Sequence, residues 1–342
     1  MSLQASGTIK YSEIIAEFGT PNNGGLGEFR VSENVGSLTN LPLDVGVPQG
    51  TSQIKFSDFY SKRLNQVVDL HSIGNNTARQ NAKDRWNNGN VHIVGSSKTG
   101  KTQPPNTTDD RVIVNVNNTI RSVKGTQTHC ALRTGTWDSN TTLEIEIGTS
   151  GKLYGSGGDG GTGGSANETP GTDGQTGSSA LGIQYPCTIN NLGVIQSGYG
   201  GGGGGGGNTR TTGGGKKGGA TTNGSSGGGG GGGAGIPAGS AGGVSTPLSQ
   251  GGGSAGSAGQ AGSLSGQATG GAGGSEAGAG GDSGAVNNSS TKANDGEQPS
   301  GGAEGGTGGN NGYAIITNQG SAPSLSGGGT LTGRTITSTN PT

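Results

Sequence analysis

Eight consecutive glycines, Gly200 to Gly207, and seven more, Gly227 to Gly233, constrain this chain more than any other feature in it. Between Gly200 and Gly312 there is no Phe, Tyr or Trp, and the only large aliphatic residues are Ile236, Val244, Leu248, Leu264 and Val286. A segment so poor in side chains cannot bury a conventional apolar core. It is either a flexible linker or low-complexity tract, or it is held by backbone hydrogen bonds between stretches of chain that only glycine lets approach.

The spacing of the remaining glycines favours order. Glycines fall three apart at Gly155, Gly158, Gly161 and Gly164, at Gly171, Gly174 and Gly177, and at Gly253, Gly256, Gly259 and Gly262. The same step returns at Gly278, Gly281 and Gly284 and at Gly302, Gly305 and Gly308. A polyproline-II-type helix has about three residues per turn, rises about 3.1 Å per residue and makes no internal hydrogen bonds. Glycine at every third position, or at all of them, gives such a helix faces without Cβ atoms, which can pack backbone to backbone. Collagen shares the step but needs strict Gly-X-Y and abundant proline. Here the phase slips at each insertion and there are only 12 prolines, so collagen is excluded.

The rest of the chain is a different material. Of the 82 glycines in 342 residues, 15 precede residue 151. Of the 20 Lys and Arg, only Lys152, Arg210, Lys216, Lys217, Lys292 and Arg334 lie beyond residue 150. A net charge of −1 gives no bulk attraction for nucleic acid. The N-terminus, MSLQASGTIKYSEI, has no apolar signal-peptide core, and no stretch is long and apolar enough to span a membrane.

Residues 1–65 carry an internal repeat. Ile9-Lys10-Tyr11-Ser12-Glu13-Ile14-Ile15 matches Ile54-Lys55-Phe56-Ser57-Asp58-Phe59-Tyr60. Each copy reads as an extended piece, a Ser N-cap and a short amphipathic helix with an acid in its first turn. From residue 66 strand signals dominate: Val67–Leu70, Val91–Val94, Arg111–Val116 and Leu143–Ile147 are β-rich runs bounded by Gly, Asn and Ser. Arg79 to Asn87 reads as a helical turn. Trp86, Ile93, Val112, Val114, Leu132, Trp137 and Ile145 are the candidate core.

Gly95-Ser96-Ser97-Lys98-Thr99-Gly100-Lys101-Thr102 matches the phosphate-binding pattern G-x-x-x-x-G-K-[ST] after an apolar run. In such a loop the Lys must open a helix whose N-terminus cradles phosphate. Here Gln103-Pro104-Pro105 follows, and two prolines prevent a regular helix. The match is read as a decoy. His71, His92 and His129 are scattered, and Cys130 and Cys187 have no metal-ligand spacing. No catalytic constellation, cofactor or metal site is defensible, and the chain is expected not to be an enzyme.

A second repeat links the two materials. Ile145 to Gly158 resembles Thr188 to Gly201, with a weaker echo at Ala314 to Gly320. Each reads as a β-arch feeding or receiving the glycine segments. The expected architecture is mostly β with little α, with β-rich N-terminal and middle domains followed by a bundle of packed polyglycine-II helices. Its divisions are 1–65, an attachment module; 66–153, a β-rich domain; 154–312, the glycine bundle, with a β-arch insertion near 181–198; and 313–342, a C-terminal β segment.

Polar segments interrupt the glycine stretches at Ser165–Pro170, Asn208–Thr212, Ala220–Ser226, Ile236–Gln250, Ser263–Thr269 and Ala285–Ser300. If each reverses the chain, loops gather at the bundle ends, and a rigid scaffold displaying loops is how recognition surfaces are commonly built. The candidate binding residues are Asn208, Thr209, Arg210, Lys216, Lys217, Asn223, Ile236, Pro237 and Leu248. The three cations suit phosphate or carboxylate groups of a surface glycan, or keep a neutral bundle soluble.

The segments GTIKYSEIIAEFG and SQIKFSDFYSKRL resemble N-terminal attachment segments of virion proteins of tailed phages. Blocks such as GYGGGGGGGGN and SSGGGGGGGAG with polar spacers, over about residues 150–312, resemble the receptor-recognising adhesins at the tip of the long tail fibre of T-even-like phages. The resemblance implies a non-enzymatic adhesin that binds a host cell-surface receptor, an outer-membrane protein or a glycan, through loops on a polyglycine-II scaffold. It implies other tail-fibre or baseplate proteins as partners, no nucleic acid and no membrane insertion. The chain would sit either as one copy on a trimeric fibre or as a homotrimer. It would act outside the cell from the virion, after synthesis in the host cytoplasm. Two other classes compete: an ice-binding protein, because flat glycine-helix bundles can order water, and an enzyme using the phosphate-loop match.

Overall fold

The structure, a computed structural model, describes residues 3–342 apart from 72, 76, 103–109, 213–220, 246–253, 265, 285–290, 319–322 and 337–340, with backbone alone at 210–212 and 221–223. Among the described residues, twenty strands and three short α-helices make it mostly β.

Residues 3–64 fold around an aromatic cluster. The helix Tyr11–Phe18 and the 3-10 turns Leu26–Phe29 and Phe56–Phe59 bring the rings of Phe18, Phe29 and Phe59 edge to face, with centroids 5.5–6.2 Å apart. The repeat is visible in the backbone. Glu13 accepts a hydrogen bond from the Lys10 N–H at 2.7 Å, and Asp58 does the same for Lys55 at 2.7 Å. The expected Ser caps are therefore corrected: Lys10 and Lys55 are the caps, and the serines lie inside the first turn. The second copy is also only a 3-10 turn, because the chain turns extended at Tyr60 to enter the sheet strand that follows.

That strand begins a regular path. Successive strands fall on three parallel sheets in rotation. The first turn is Asn65–Asp69, Thr77–Ala78 and Gln80–Asn81; the second is Arg111–Val116, Thr119–Arg121 and Cys130–Arg133. The third is Thr142–Ile147, Lys152–Tyr154 and Ser179–Ile183, and the fourth is Thr188–Asn191, Val194–Gln196 and Tyr313–Thr317. Ser324–Ser326, Thr330–Thr332 and Arg334–Ile336 complete a fifth. Each strand pairs in parallel with its counterpart one turn on, so the fold is a three-sided β-helix.

The interior is a set of stacked side chains. Val68, Val114, Ile145 and Ile189 are in register on the first sheet, Ile120, Leu153 and Ile195 on the second, and Leu132, Leu181 and Ile315 on the third. All are buried, each contributing on the order of 2 kcal/mol of apolar transfer. The strand sequences report which faces are covered. Arg111–Val116 is an almost unbroken apolar run because the N-terminal module packs Phe59 and its neighbours on the outer face, at Val67 and Ile113. Thr142–Ile147, beyond that cover, alternates buried and outward residues. Ile93, one of the expected core residues, packs with the N-terminal module instead of inside the β-helix.

The glycine segments leave this β-helix at one corner. Residues 155–178 intervene between the second and third strands of the third turn, and 198–312 between the corresponding strands of the fourth. The echo at Ala314 is accordingly a third-sheet strand, pairing with Ser179–Ile183, and is not a further arch of the Ile145 and Thr188 kind. Ten extended segments run side by side: 155–164, 171–178, 198–207, 226–235, 237–243, 254–263, 267–274, 277–284, 292–298 and 302–312. Any two neighbouring segments are joined by backbone hydrogen bonds that recur every third residue.

Segment 198–207 shows the rule. The N–H groups of Gly201 and Gly204 donate to Gln175 and Thr172, those of Gly202 and Gly205 to Gly231 and Gly228, and those of Gly203 and Gly206 to Asn294 and Glu297, all at 2.8–3.1 Å. Its carbonyls accept from three further segments, for example Gly161 to Gly202, Gly281 to Gly203 and Gly309 to Gly201. Six segments thus surround it, and six surround 226–235 in the same way. These two are the unbroken glycine runs. A Cβ on Gly203 would land on the Gly306 carbonyl, and one on Gly204 on the Thr162 carbonyl. Segment 155–164 has four neighbouring segments and glycine at two positions in three, with Asp159 and Thr162 turned outward. Segment 171–178 has three such segments and glycine at one position in three.

Candidate functional site

Hydrogen-bond direction fixes which turns lie at which end. Segments 155–164, 198–207, 237–243, 267–274 and 292–298 run away from the β-helix and are parallel to one another where they pair; the other five return. The reversals at the far end therefore join residues 164 and 171, 207 and 226, 243 and 254, 274 and 277, and 298 and 302, and those near the β-helix join 235 and 237, 263 and 267, and 284 and 292. Most polar interruptions do reverse the chain, but the reversal at 275–276 is marked only by Ser-Glu, and the long interruptions Ile236–Gln250 and Ala285–Ser300 each contain a segment of their own, 237–243 and 292–298, with a reversal on either side.

The expected site residues separate accordingly. Asn208 and Thr209 open a far-end hairpin in which Asn208–Thr212 pairs antiparallel with Thr221–Ser225 and Arg210 stands opposite Asn223. Lys216, Lys217 and Leu248 lie outside the described residues. Ile236 and Pro237 are at the opposite end: the Ile236 N–H donates to Gly155 at 2.9 Å, and Pro237 accepts from Gly157 at 2.9 Å. Ile236 and Pro237 are thus not brought together with the others, because the chain makes its reversal there against the mouth of the β-helix.

At the far end Asn208 and Thr209 line a cavity of about 490 Å³ with Glu276, Ser300 and Gly301. Asn208 is buried, and its side-chain amide donates to the Glu276 carbonyl at 2.8 Å. The Thr209 hydroxyl donates to the Ala166 carbonyl. Asn208 follows directly on segment 198–207, whose last carbonyl accepts from Ala303 at 3.0 Å. The other lining residues come from the 275–276 and 299–301 turns, closed by Ala277 to Gly274 at 2.9 Å and Gly302 to Pro299 at 3.1 Å. Glu276 and Glu168, in two different far-end turns, hold φ of 64° and 54°, in the left-handed region that ordinarily favours glycine.

The near end is locked to the β-helix by polar contacts. Lys124 bonds Asp159 at 2.5 Å, and Asp159 also accepts from the Ser240 N–H at 2.6 Å. Partial burial acts to raise the Asp159 carboxyl, but the Lys124 and Ser240 hydrogen bonds outweigh it and hold the group below its ordinary value. Gln127 and Arg334 both donate to the Asn311 carbonyl, and Asn311 accepts from Gly200 at 2.9 Å.

The phosphate-loop match has no phosphate geometry. Ser96–Thr99 is a single helical turn that ends before Gly100-Lys101 and does not begin there. The Gly95 N–H donates to Glu33 at 2.7 Å, and the Lys101 ammonium donates to the Ala16 carbonyl, so the segment ties the N-terminal module to the β-helix. Among the described residues no three of His, Cys, Asp or Glu are placed to hold a metal ion. Cys130 and Cys187 are both free thiols, each pushed up to about 12 by burial. No described helix is long and apolar enough to cross a membrane.

The β-helix thus carries a bundle whose reversals gather at the end farthest from it. The family model of the phage tail fibre adhesin Gp38 matches residues 77–336, and the chain belongs to that family. The match runs from the second strand of the β-helix's first turn to the last strand of its fifth, and takes in the glycine bundle. No curated protein and no solved structure matches it.

Proposed function

We propose that this chain is a tail-fibre tip adhesin that recognises a receptor on the host cell surface, an outer-membrane protein or a glycan, through the far-end turns of its bundle. The observation that carries this is the segregation of reversals: five, among them the one bearing the paired strands Asn208–Thr212 and Thr221–Ser225, fall at the end farthest from the β-helix. The glycine segments act as polyglycine-II helices, a reading supported by hydrogen bonds that recur every third residue and run only between segments. The N-terminal module and β-helix serve as the mount toward other tail-fibre proteins. On this reading the protein binds its receptor and performs no chemistry on it. Family membership lends no support to ice binding.

The test is competition. Purified full-length protein, preincubated with susceptible cells, is expected to reduce phage adsorption. A variant with 209–224 replaced by a short Asn-Gly turn is expected to melt cooperatively yet fail to compete. Undiminished competition by that variant would place recognition elsewhere, and no competition by the parent protein would remove the adhesin reading. Far-UV circular dichroism of the same samples checks the glycine helices: a disordered-chain spectrum with no melt would defeat them.

A further inference from the structure

We infer that a second cavity, at the corner between the first and second sheets of the β-helix, receives a lysine or arginine side chain of a neighbouring tail-fibre protein. The inference rests on the family's place in a tail fibre and not on which end of the bundle meets a receptor. The cavity measures about 380 Å³, within the roughly 300–1,000 Å³ of small-ligand sites. Ser37 and Leu38 line it from the N-terminal module, at the tip of the hairpin that pairs Ser32–Val35 with Leu38–Pro42. The rest of the lining comes from three successive turns of the β-helix: Asn117 from the second, Glu146, Gly148 and Thr149 from the third, and Leu192 from the fourth.

One carboxylate sets the chemistry. Glu146 is half-buried on the outer face of the first sheet, in register with Asn115 and Asn190. The Asn190 amide donates to one of its oxygens at 2.8 Å; among the described residues the other oxygen has no partner. Burial pushes the Glu146 carboxyl up, the Asn190 hydrogen bond lowers it, and the neighbouring Glu144 charge raises it again, with no described cation acting on it. Arg111 is committed elsewhere, to Glu144 at 2.8 Å and Asp44 at 2.9 Å. His71 turns Nδ1 to the Asn117 carbonyl at 3.3 Å. Lys216, Lys217 and the Arg210 side chain lie outside the described residues, and in sequence they fall between Gly207 and Ser226, in a far-end reversal.

Two leucines share the cavity with this carboxylate. Leu192 stands in the short corner between Thr188–Asn191 and Val194–Gln196 and is 48% exposed. A lone exposed leucine means little. Here it joins Leu38 on a concave surface that also holds an uncompensated charge. A lysine or arginine satisfies both, since its methylene stem packs on apolar groups while its head pairs with a carboxylate. A neutral apolar side chain would leave Glu146 desolvated and unpaired, and an acidic one would be repelled.

The cavity is preformed. The Ser37 hydroxyl donates to Asn115 at 2.7 Å, and the Asn115 amide donates to the Val35 carbonyl at 3.3 Å and to Asp69 at 2.9 Å. Gly36, at φ 60°, lies so close to Asn115 and Asp69 that a Cβ would strike both, so the hairpin tip sits directly on the sheet. Little ordering remains for binding. The glycine segments leave at a different corner, between the second and third sheets, so a partner held here leaves the far-end turns free.

NMR of the full-length protein with labelled leucine methyl groups tests the pocket at low salt, with Nα-acetyl methylamides of arginine, lysine, norleucine and glutamate as probes. The arginine or lysine amide is expected to shift the Leu38 and Leu192 methyls saturably, with norleucine about tenfold weaker and glutamate inactive. Glu146→Gln keeps an acceptor for Asn190 and is expected to reduce the cationic amides to the norleucine level without lowering Tm. Norleucine binding as well as arginine, cation binding that survives Glu146→Gln, or no shift of either leucine would overturn the assignment. Phage carrying Glu146→Lys are expected to hold less of this protein per virion, while the purified variant melts and blocks adsorption as the parent does. Unchanged content per virion would limit the pocket to free amines and remove the partner protein. Failure of the parent itself to block adsorption would remove the adhesin reading and leave the amide titration to decide the pocket.

Discussion

The β-helix and the glycine bundle solve one problem in opposite ways. Both lay extended chain side by side and satisfy its backbone polar groups with neighbouring segments. In the β-helix the hydrogen bonds lie in three sheets and the space between them is filled with side chains such as Val114, Ile145 and Leu153. Around the two central segments of the bundle, 198–207 and 226–235, every direction is used for hydrogen bonds, so no space is left there for side chains. One region is held by what it buries, the other by what it lacks. The difference predicts opposite responses to the gain or loss of a single carbon.

The largest expected effect is Gly203→Ala. One added methyl meets the Gly306 carbonyl with rigid backbone on all sides, and a loss of about 3 kcal/mol is expected, read as a fall in the denaturation midpoint. Removing one carbon from the β-helix, by Ile145→Val, is expected to lower stability by only about 1 kcal/mol, because the stacked core tolerates a small cavity. If the two effects were equal or reversed, the contrast between the regions would fail.

The junction comes next. Lys124→Met removes the partner of Asp159 and is expected to lower stability by about 1 kcal/mol or less at neutral pH and low salt, with the loss shrinking as salt rises. Because the folded Asp159 carboxyl is held below its ordinary value, its contribution is fully present above about pH 4 and is lost as pH falls through the lowered value. The difference between parent and variant should therefore vanish in acid. A difference that grew as pH fell would show that Lys124 acts by packing.

The smallest effect has the opposite sign. Gly243 ends segment 237–243 with open space where a Cβ would go. Gly243→Ala is expected to be neutral or to stabilise by about 0.5 kcal/mol, since it restricts only the unfolded chain. Set beside Gly203→Ala, it measures how far the penalty depends on enclosure and not on glycine as such.

Legibility followed the same division. The β-strands were readable because alternation and apolar runs record which faces are covered, down to the difference between Arg111–Val116 and Thr142–Ile147. The repeat at Ile145 and Thr188 was readable because successive turns of a β-helix must present like residues in register. Of the candidate site, Asn208 and Thr209 were found from a polar break in a glycine run. Glu276, Ser300 and Gly301 were not, since a two-residue Ser-Glu break looks like a minor slip of phase, and the 299–301 turn is hidden at the end of a longer polar stretch. Ile236 and Pro237 carried the same loop signal as Asn208 but sit at the other end, because a break in the sequence announces a reversal without saying at which end it falls.

The sequence by itself marked the two enclosed segments: the unbroken glycine runs are the ones that six segments surround, and every segment with three or four neighbours carries other residues as well. That follows from sterics alone, since each residue facing a neighbouring backbone must lack a Cβ. Only the tertiary structure decided that residues 313–336 return to continue the β-helix begun at Asn65, and that distant turns meet around one cavity. Those are pairings between segments more than a hundred residues apart, chosen by register and direction, and glycine, identical at every position, carries no mark of its partner.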